Sequence, residues 1–224
     1  KEIKNLKSKY SVSEIKHMSM EENEDEASKV IAPERTKAVP RFRKGVDEEV
    51  KGTLRGTAYH RFFEILNYDC CKDYNSIEKY LKTSVAAGKI SEEYAGLINL
   101  KRFEEFLQTD LGKRMGSAYK KRLLFREQPF IMELGADMID KEYPSDEKIL
   151  VQGIVDAFFF ENDKVYIVDY KTDRVEQGKA GEKALVERYH KQLELYADTI
   201  SRVTGKETGG CYIYSTCLKK EILI

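Results

Sequence analysis

Apolar residues along this 224-residue chain change their spacing several times, and each change predicts a different element. From Thr57 the stretch TAYHRFFEILNY repeats at helical spacing, with Tyr59, Phe62, Phe63 and Leu66 on one stripe. Gly52 and Gly56 flank the entry to this predicted helix, and Thr57 is its expected N-cap. Helical spacing continues from Asn75 to Met115 through Tyr94, Leu97, Ile98, Phe103, Phe106 and Leu107. Asn75-Ser-Ile-Glu78 has the form of a capping box, Ser91 is an expected cap, and Gly88 and Gly112 mark breaks.

At Leu123 the pattern turns to strand. Arg122–Met132 contains Leu124, Phe125, Phe130 and Ile131, with Glu127 among them and Pro129 predicting an edge or bent strand. After a polar stretch from Asp140 to Lys148, Ile149–Phe160 and Val165–Lys171 are rich in β-branched and aromatic residues, with Glu161-Asn-Asp-Lys164 as the turn. Glu182–Val203 is a predicted helix with Leu185, Tyr189, Leu193, Tyr196, Ile200 and Val203 on its apolar face, ended by Gly205. Cys211–Thr216 and Glu221–Ile224 close the chain as strands. Near the start, Ser11-Val-Ser-Glu14 is a capping-box pattern opening a short helix through about Met18. An acidic loop (Glu21–Ser28) and an extended basic segment punctuated by Pro33 and Pro40 follow.

The hairpin carries the chemistry. If Asn162-Asp163 is a two-residue loop, directly opposed residues have numbers that sum to 325, which sets Asp156 against Asp169. Like charges directly opposite destabilise a sheet, and the flanking Ile154, Val155, Phe158, Ile167 and Val168 read as buried. Either the two carboxyls share a proton, as in an acid dyad, or both bind a hard cation such as Mg²⁺. Lys171 favours the cation. Strand alternation sets it on the face of Asp169, and acids, cation and ammonium together suit phosphodiester hydrolysis. Locally, His60 and Glu64 read as a partly buried helix histidine and a surface acid sharing one face. Gln192 and Tyr196, four apart, are candidates to lie beside the hairpin, and His190 points away from that face.

Composition narrows the classes. An apolar content of 41% supports one buried domain, or one domain with a lobe. The apolar runs are of strand length, too short to span a membrane, and KEIKNLKSKY has no signal-peptide core. The absence of an initiator Met reads as a fragment or processed chain. Cys70, Cys71, Cys211 and Cys217 lack C-x-x-C spacing and fit reduced thiols in a cytoplasmic protein. Net charge is zero, which argues against simple polyanion coating, but Arg35–Lys44 and Lys113–Arg126 are basic runs without acids.

Four stretches in this order, GTAYHRFFE (56–64), GIVD (153–156), VDYKTD (168–173) and QLELY (192–196), resemble the motifs of RecB-type nucleases of the PD-(D/E)XK superfamily. With SVSEIK near the start, the chain is most similar to the C-terminal nuclease domain of AddA-type helicase–nucleases. The resemblance implies an α/β restriction-endonuclease-like core, a central mixed sheet flanked by helices with a helical insertion. It implies one nuclease domain over 1–224, with an N-terminal region 1–50, a helical lobe 75–120 and a core of 52–66 and 122–224. It also implies metal ligands at His60, Asp156, Asp169 and the Tyr170 carbonyl, with Lys171, Gln192 and Tyr196 joining the two aspartates in catalysis. This reverses the local reading of His60. The implied activity is Mg²⁺-dependent (Mn²⁺ as substitute) DNA exonuclease action on single strands fed by a helicase, in double-strand-break repair and recombination. The implied partners are DNA, the helicase portion of the same protein and an AddB-like subunit, with no membrane. No G-x-x-x-x-G-K-[ST] loop occurs, so the chain has no helicase motor of its own. The four cysteines do not reproduce the iron–sulfur pattern of AddB-like and Cas4-like relatives, so no Fe–S cluster is expected. The alternatives are a non-catalytic DNA-binding or subunit-docking module on the same fold, and a stand-alone Cas4-like nuclease.

Overall fold

The computed structural model describes residues 7–12, 14–15, 44–138, 143–144 and 146–224, with the backbone alone for 44–51 and 138. The acidic loop, Pro33, Pro40 and nearly all of the first basic run lie outside these residues. The capping box at Ser11 forms: Glu14 Oε2 accepts from the Ser11 amide at 2.7 Å, and Ser11 Oγ accepts from the Glu14 amide at 3.2 Å. It follows a short strand, β1 (Lys9–Ser11), that the sequence pattern does not reveal.

Helix α1 runs from Lys44 to Ile65, so it begins well before the predicted Thr57. Thr57 is no cap, since its hydroxyl donates back to the Thr53 carbonyl one turn earlier. Gly56 lies inside α1 where the helix passes the end of the hairpin, and an added Cβ would stand 3.3 Å from Thr172 Oγ1. Arg55 donates to the Thr172 carbonyl beside it.

Four short helices follow: α2 (Tyr74–Ala86), α3 (Glu92–Leu97), α4 (Leu100–Gln108) and α5 (Asp110–Lys120). The cap of α2 is Asp73, two residues before the expected box, with Ser76 closing it reciprocally. Ser91 caps α3 as expected, and Gly88 takes a left-handed φ of 67° at the break after α2. Gly112, in contrast, lies inside α5. The break is at Thr109, whose side chain accepts from the Gly112 amide. Gly112 allows α5 to fold back onto α4, because a Cβ there would stand 2.1 Å from the Phe106 carbonyl oxygen. Backbone cannot yield like a side chain, so Gly112→Ala is expected to destabilise the chain by about 1–3 kcal/mol or more, read as a lower urea midpoint.

The mixed sheet contains β1, β2 (Leu124–Gly135), β3 (Lys148–Glu161), β4 (Lys164–Lys171), β5 (Thr208–Ser215) and β6 (Lys220–Leu223). Its order is β1-β3-β4-β5-β6, with β2 antiparallel to β3 along the other edge. The 26-residue helix α6 (Lys179–Thr204) connects the parallel pair β4 and β5, and Gly205 closes it in the left-handed region at φ 67°. Asn162 and Asp163 both have positive φ (50° and 64°), the conformation a two-residue I′ turn requires. The register therefore follows the sum of 325, through to Ala157↔Val168.

Each face of the sheet has its own core. Val151, Val155, Ile167 and Ile213 pack with Leu185, Leu193 and Ile200 of α6. Ala157, Phe159, Val168, Tyr170 and Tyr214 pack with the aromatic residues of α1 and α4. Phe63 stacks flat on Tyr170, centroids 3.9 Å apart. Val155 and Ala157 fall in different cores, although strand alternation should place them on one face. The neighbouring β2 inverts at the same level: Leu124 packs on the α1 side, Phe130 and Met132 on the α6 side. Between the pairs Arg126↔Ala157 and Gln128↔Val155 the ladder skips Glu127 and Asp156, and Glu127 has a φ of 48°.

Candidate active site

These skipped acids turn toward α1. His60 Nδ1 lies 3.4 Å from Asp156 Oδ2, and one ligand atom each from His60, Glu127 and Asp156 can be chosen so that all three lie within 4.8 Å of one another. The same Asp156 oxygen accepts the Tyr170 amide at 2.8 Å. That bond begins where the β3–β4 ladder stops, one pair short of Asp156 and Asp169. The strands thus part at the aspartates, and a side chain takes over the backbone donor.

Asp169 is fully buried and faces α6. Its Oδ1 accepts from Gln192 Nε2 at 2.8 Å, and the same Nε2 is 3.2 Å from the Tyr196 hydroxyl. Lys171 Nζ stands 2.7 Å from Asp169 Oδ2 as an ion pair, but off the directions of a hydrogen bond, which leaves this buried oxygen without an aligned donor. The ammonium also lies over the Tyr189 ring, 4.2 Å from its centroid, and the Tyr189 hydroxyl is tied to Asp173 at 2.8 Å.

Burial pushes the Asp169 carboxyl up to about 6, partly offset by Lys171 and reinforced by Asp156. Glu127 is pushed up to about 7 by burial, with Asp156 adding to it. Burial alone would also raise Asp156, but His60, then Lys171 and the Tyr170 amide, outweigh it and hold this carboxyl below its ordinary range. Burial opposes charge on His60 and Lys171, and neighbouring carboxylates raise both nonetheless, Asp156 for His60 and chiefly Asp169 for Lys171.

A raised carboxyl destabilises the folded state wherever the unfolded chain has already lost that proton. For Glu127 this cost is absent below about 4.5 and grows as pH rises to about 7. In metal-free solution Glu127→Gln is therefore expected to raise the melting temperature at about pH 8 and to leave it unchanged at about pH 4. A difference constant across this range would count against the assignment.

The chemistry of the donors fits a hard divalent cation. Carboxylate oxygens and one imidazole converge, and burial with the neighbouring Asp156 raises the Glu127 carboxyl, a strain that a cation bound between them would relieve. Of the ligands expected from the motifs, His60 and Asp156 are brought together. Asp169 lies outside the group of three and is turned to Lys171, while it is the Tyr170 amide that meets Asp156. Gln192 and Tyr196 both reach Asp169, directly or in sequence. Glu64 is held by Arg61, and His190 is half exposed beside Glu194. Glu127 completes the group and is not among the ligands the motifs imply. Its only sequence signal is a lone acid in an apolar strand, because the long connection to β3 hides the register that sets it opposite Asp156.

An acid pair, a following lysine and a helix whose Gln192 binds the second acid together form a D…D-x-K arrangement. The model of the PD-(D/E)XK nuclease superfamily matches residues 35–221, and the chain belongs to that superfamily. It is also similar to part of the larger protein named as the A component of an ATP-dependent helicase/nuclease in Clostridium perfringens strain SM101, at 33% identity over 98% of this chain and 18% of the relative. The protein of the same name in Thermoanaerobacter sp. strain X514 is 35% identical over 93% of this chain and 17% of its own length. That of Lachnoclostridium phytofermentans is 30% identical over 89% and 16%. The chain spans less than a fifth of the length of these relatives. Among the described residues no helix is long and apolar enough to cross a membrane.

Proposed function

We propose that residues 1–224 form one metal-dependent deoxyribonuclease domain that works as a Mg²⁺-dependent exonuclease on single strands. In this reading it is the nuclease part of a longer, cytoplasmic helicase–nuclease that pairs with an AddB-like partner and serves double-strand-break repair and recombination. The observation that carries it is the convergence of His60, Glu127 and Asp156 beside the Asp169–Lys171 pair.

Mg²⁺ or Mn²⁺ would be held by Asp156, His60 and Glu127, with Asp169 and the Tyr170 carbonyl as the further donors the motif implies, and supplies Lewis-acid polarisation of a phosphoryl oxygen. Lys171, steered by Asp169 and the Tyr189 ring, donates a hydrogen bond to the attacking water or to the charge developing on the phosphoryl group. Gln192 fixes the rotamer of Asp169 and Tyr196 steadies Gln192, so the helix sets the direction of the ion pair. Asp156 needs no such clamp, because the Tyr170 amide already holds it.

The test is hydrolysis of end-labelled linear single-stranded DNA by the chain after EDTA treatment, then with Mg²⁺ or Mn²⁺ restored. Cleavage is expected only with metal, releasing products progressively from an end. Equal cleavage in EDTA, or none with either ion, would remove the reading.

A further inference from the structure

One edge of β3 is shared by two strands. Strand β1 pairs with Leu150–Gln152 and β4 with Ala157–Glu161, and among the described residues no strand pairs with that edge between Gly153 and Asp156. A cavity of about 740 Å³ opens at the gap. Its wall includes Tyr196, the residue that also steadies Gln192 against Asp169, so the cavity and the candidate active site share this side chain.

Its lining is specific in character. Phe130 stands edge-on to Tyr196, with centroids 5.7 Å apart at 84°. Phe130 is register partner to Gly153, and a Cβ on Gly153 would stand 2.8 Å from the ring. The glycine therefore lets the ring lie against the strand instead of filling the gap. Ile131 and Ile154, at the rim, are 65% and 51% exposed. Gln152 supplies a polar group, and among the described residues no charged side chain lines the space. Among these residues a phosphate meets no cation. A flat, uncharged group with an apolar face and a polar edge does fit.

We infer that this groove receives an unpaired nucleobase of the strand whose phosphodiester lies at Asp156 and Asp169. The inference rests on the nuclease reading and deepens it. In a duplex the base edge is taken by its partner and the faces by its neighbours, so a base enters at no unpairing cost only from a single strand. Aromatic stacking accepts every base, which suits an enzyme that degrades without regard to sequence. Strand selection would then come from the groove, while the acids and Lys171 act on the backbone.

The experiment uses a thymidine 20-mer with one abasic residue moved along it, its affinity for the chain read by fluorescence anisotropy in EDTA, and its cleavage followed separately in Mg²⁺. One position is expected to lose about tenfold in affinity when abasic, and Phe130→Ala should weaken the intact strand as much and erase that position's signal. Because Phe130 also touches the core, Ile154→Glu, at an exposed rim, is the second variant and should weaken the intact strand with an unchanged melting temperature. Indifference of the wild-type chain to every abasic position, as expected if a protein segment fills the groove, would overturn the inference. So would an abasic signal that survives in both variants. Cleavage in Mg²⁺ without an abasic signal sinks the groove alone; no cleavage with Mg²⁺ or Mn²⁺ sinks the nuclease reading instead.

Discussion

Lys171→Ala is expected to lower the rate of DNA cleavage by about 10²–10³-fold or more while leaving the chain folded. The ammonium occupies a defined slot between Asp169 and the Tyr189 ring, with 13% of its side chain exposed, so no solvent cation replaces it at the same point. Its loss leaves Asp169 buried with one fewer compensating charge. That carboxyl is already pushed up to about 6, so it takes up a proton rather than forcing the strands apart. Lys171→Arg is expected to rescue little, because a planar fork does not fit a slot built for a point charge. Single-turnover cleavage alongside thermal unfolding checks both halves. Activity within tenfold of the parent chain would show that the lysine has no part in the chemistry.

The second large effect concerns the cation. Asp156→Ala is expected to abolish Mn²⁺ binding by calorimetry and cleavage with it, and to lower stability by about 1–3 kcal/mol, since the buried Tyr170 amide loses its acceptor. Glu127→Ala is the sharper comparison. It lies in the same group of donors but holds no backbone group in the described contacts, so it should weaken Mn²⁺ binding by roughly tenfold or more without that loss of stability. Cation affinity indifferent to Glu127 would return the ligand set to His60, Asp156, Asp169 and the Tyr170 carbonyl, as the motifs imply.

Local periodicity makes the hairpin legible, with its register as far as Ala157↔Val168, because a two-residue turn fixes the pairing; the expected opposition of Asp156 and Asp169 lies one pair beyond the ladder, where the strands part. The length of α6 and its glycine stop are legible for a similar reason: a long apolar stripe ends at a residue that accepts positive φ. Elements decided by distant contact are not. Gly52 and Gly56 read as a helix boundary, yet both lie inside α1, where the approach to Thr172 favours a small residue at Gly56 and nothing stands near Gly52. Gly112 misleads in the same way, since what it avoids is the end of the preceding helix. At the site, His60 is legible only through the family motif. Glu127 escapes the sequence because its position depends on an inversion of two strands that alternation rules assume to be regular.

Strand β1 has only three residues, yet it covers Leu150–Gln152 on one edge of β3 and brings Tyr10, Val12 and Ile15 into the α6-side core. Leu150, Ile154 and Ile131 are exposed nearby. A version of the chain shortened past residue 15 would present bare backbone donors and acceptors next to that apolar surface, the combination that recruits strands from other molecules. Solubility of any truncated form is thus governed by a few residues far upstream in sequence of the strand they protect, and expression boundaries belong upstream of Lys7.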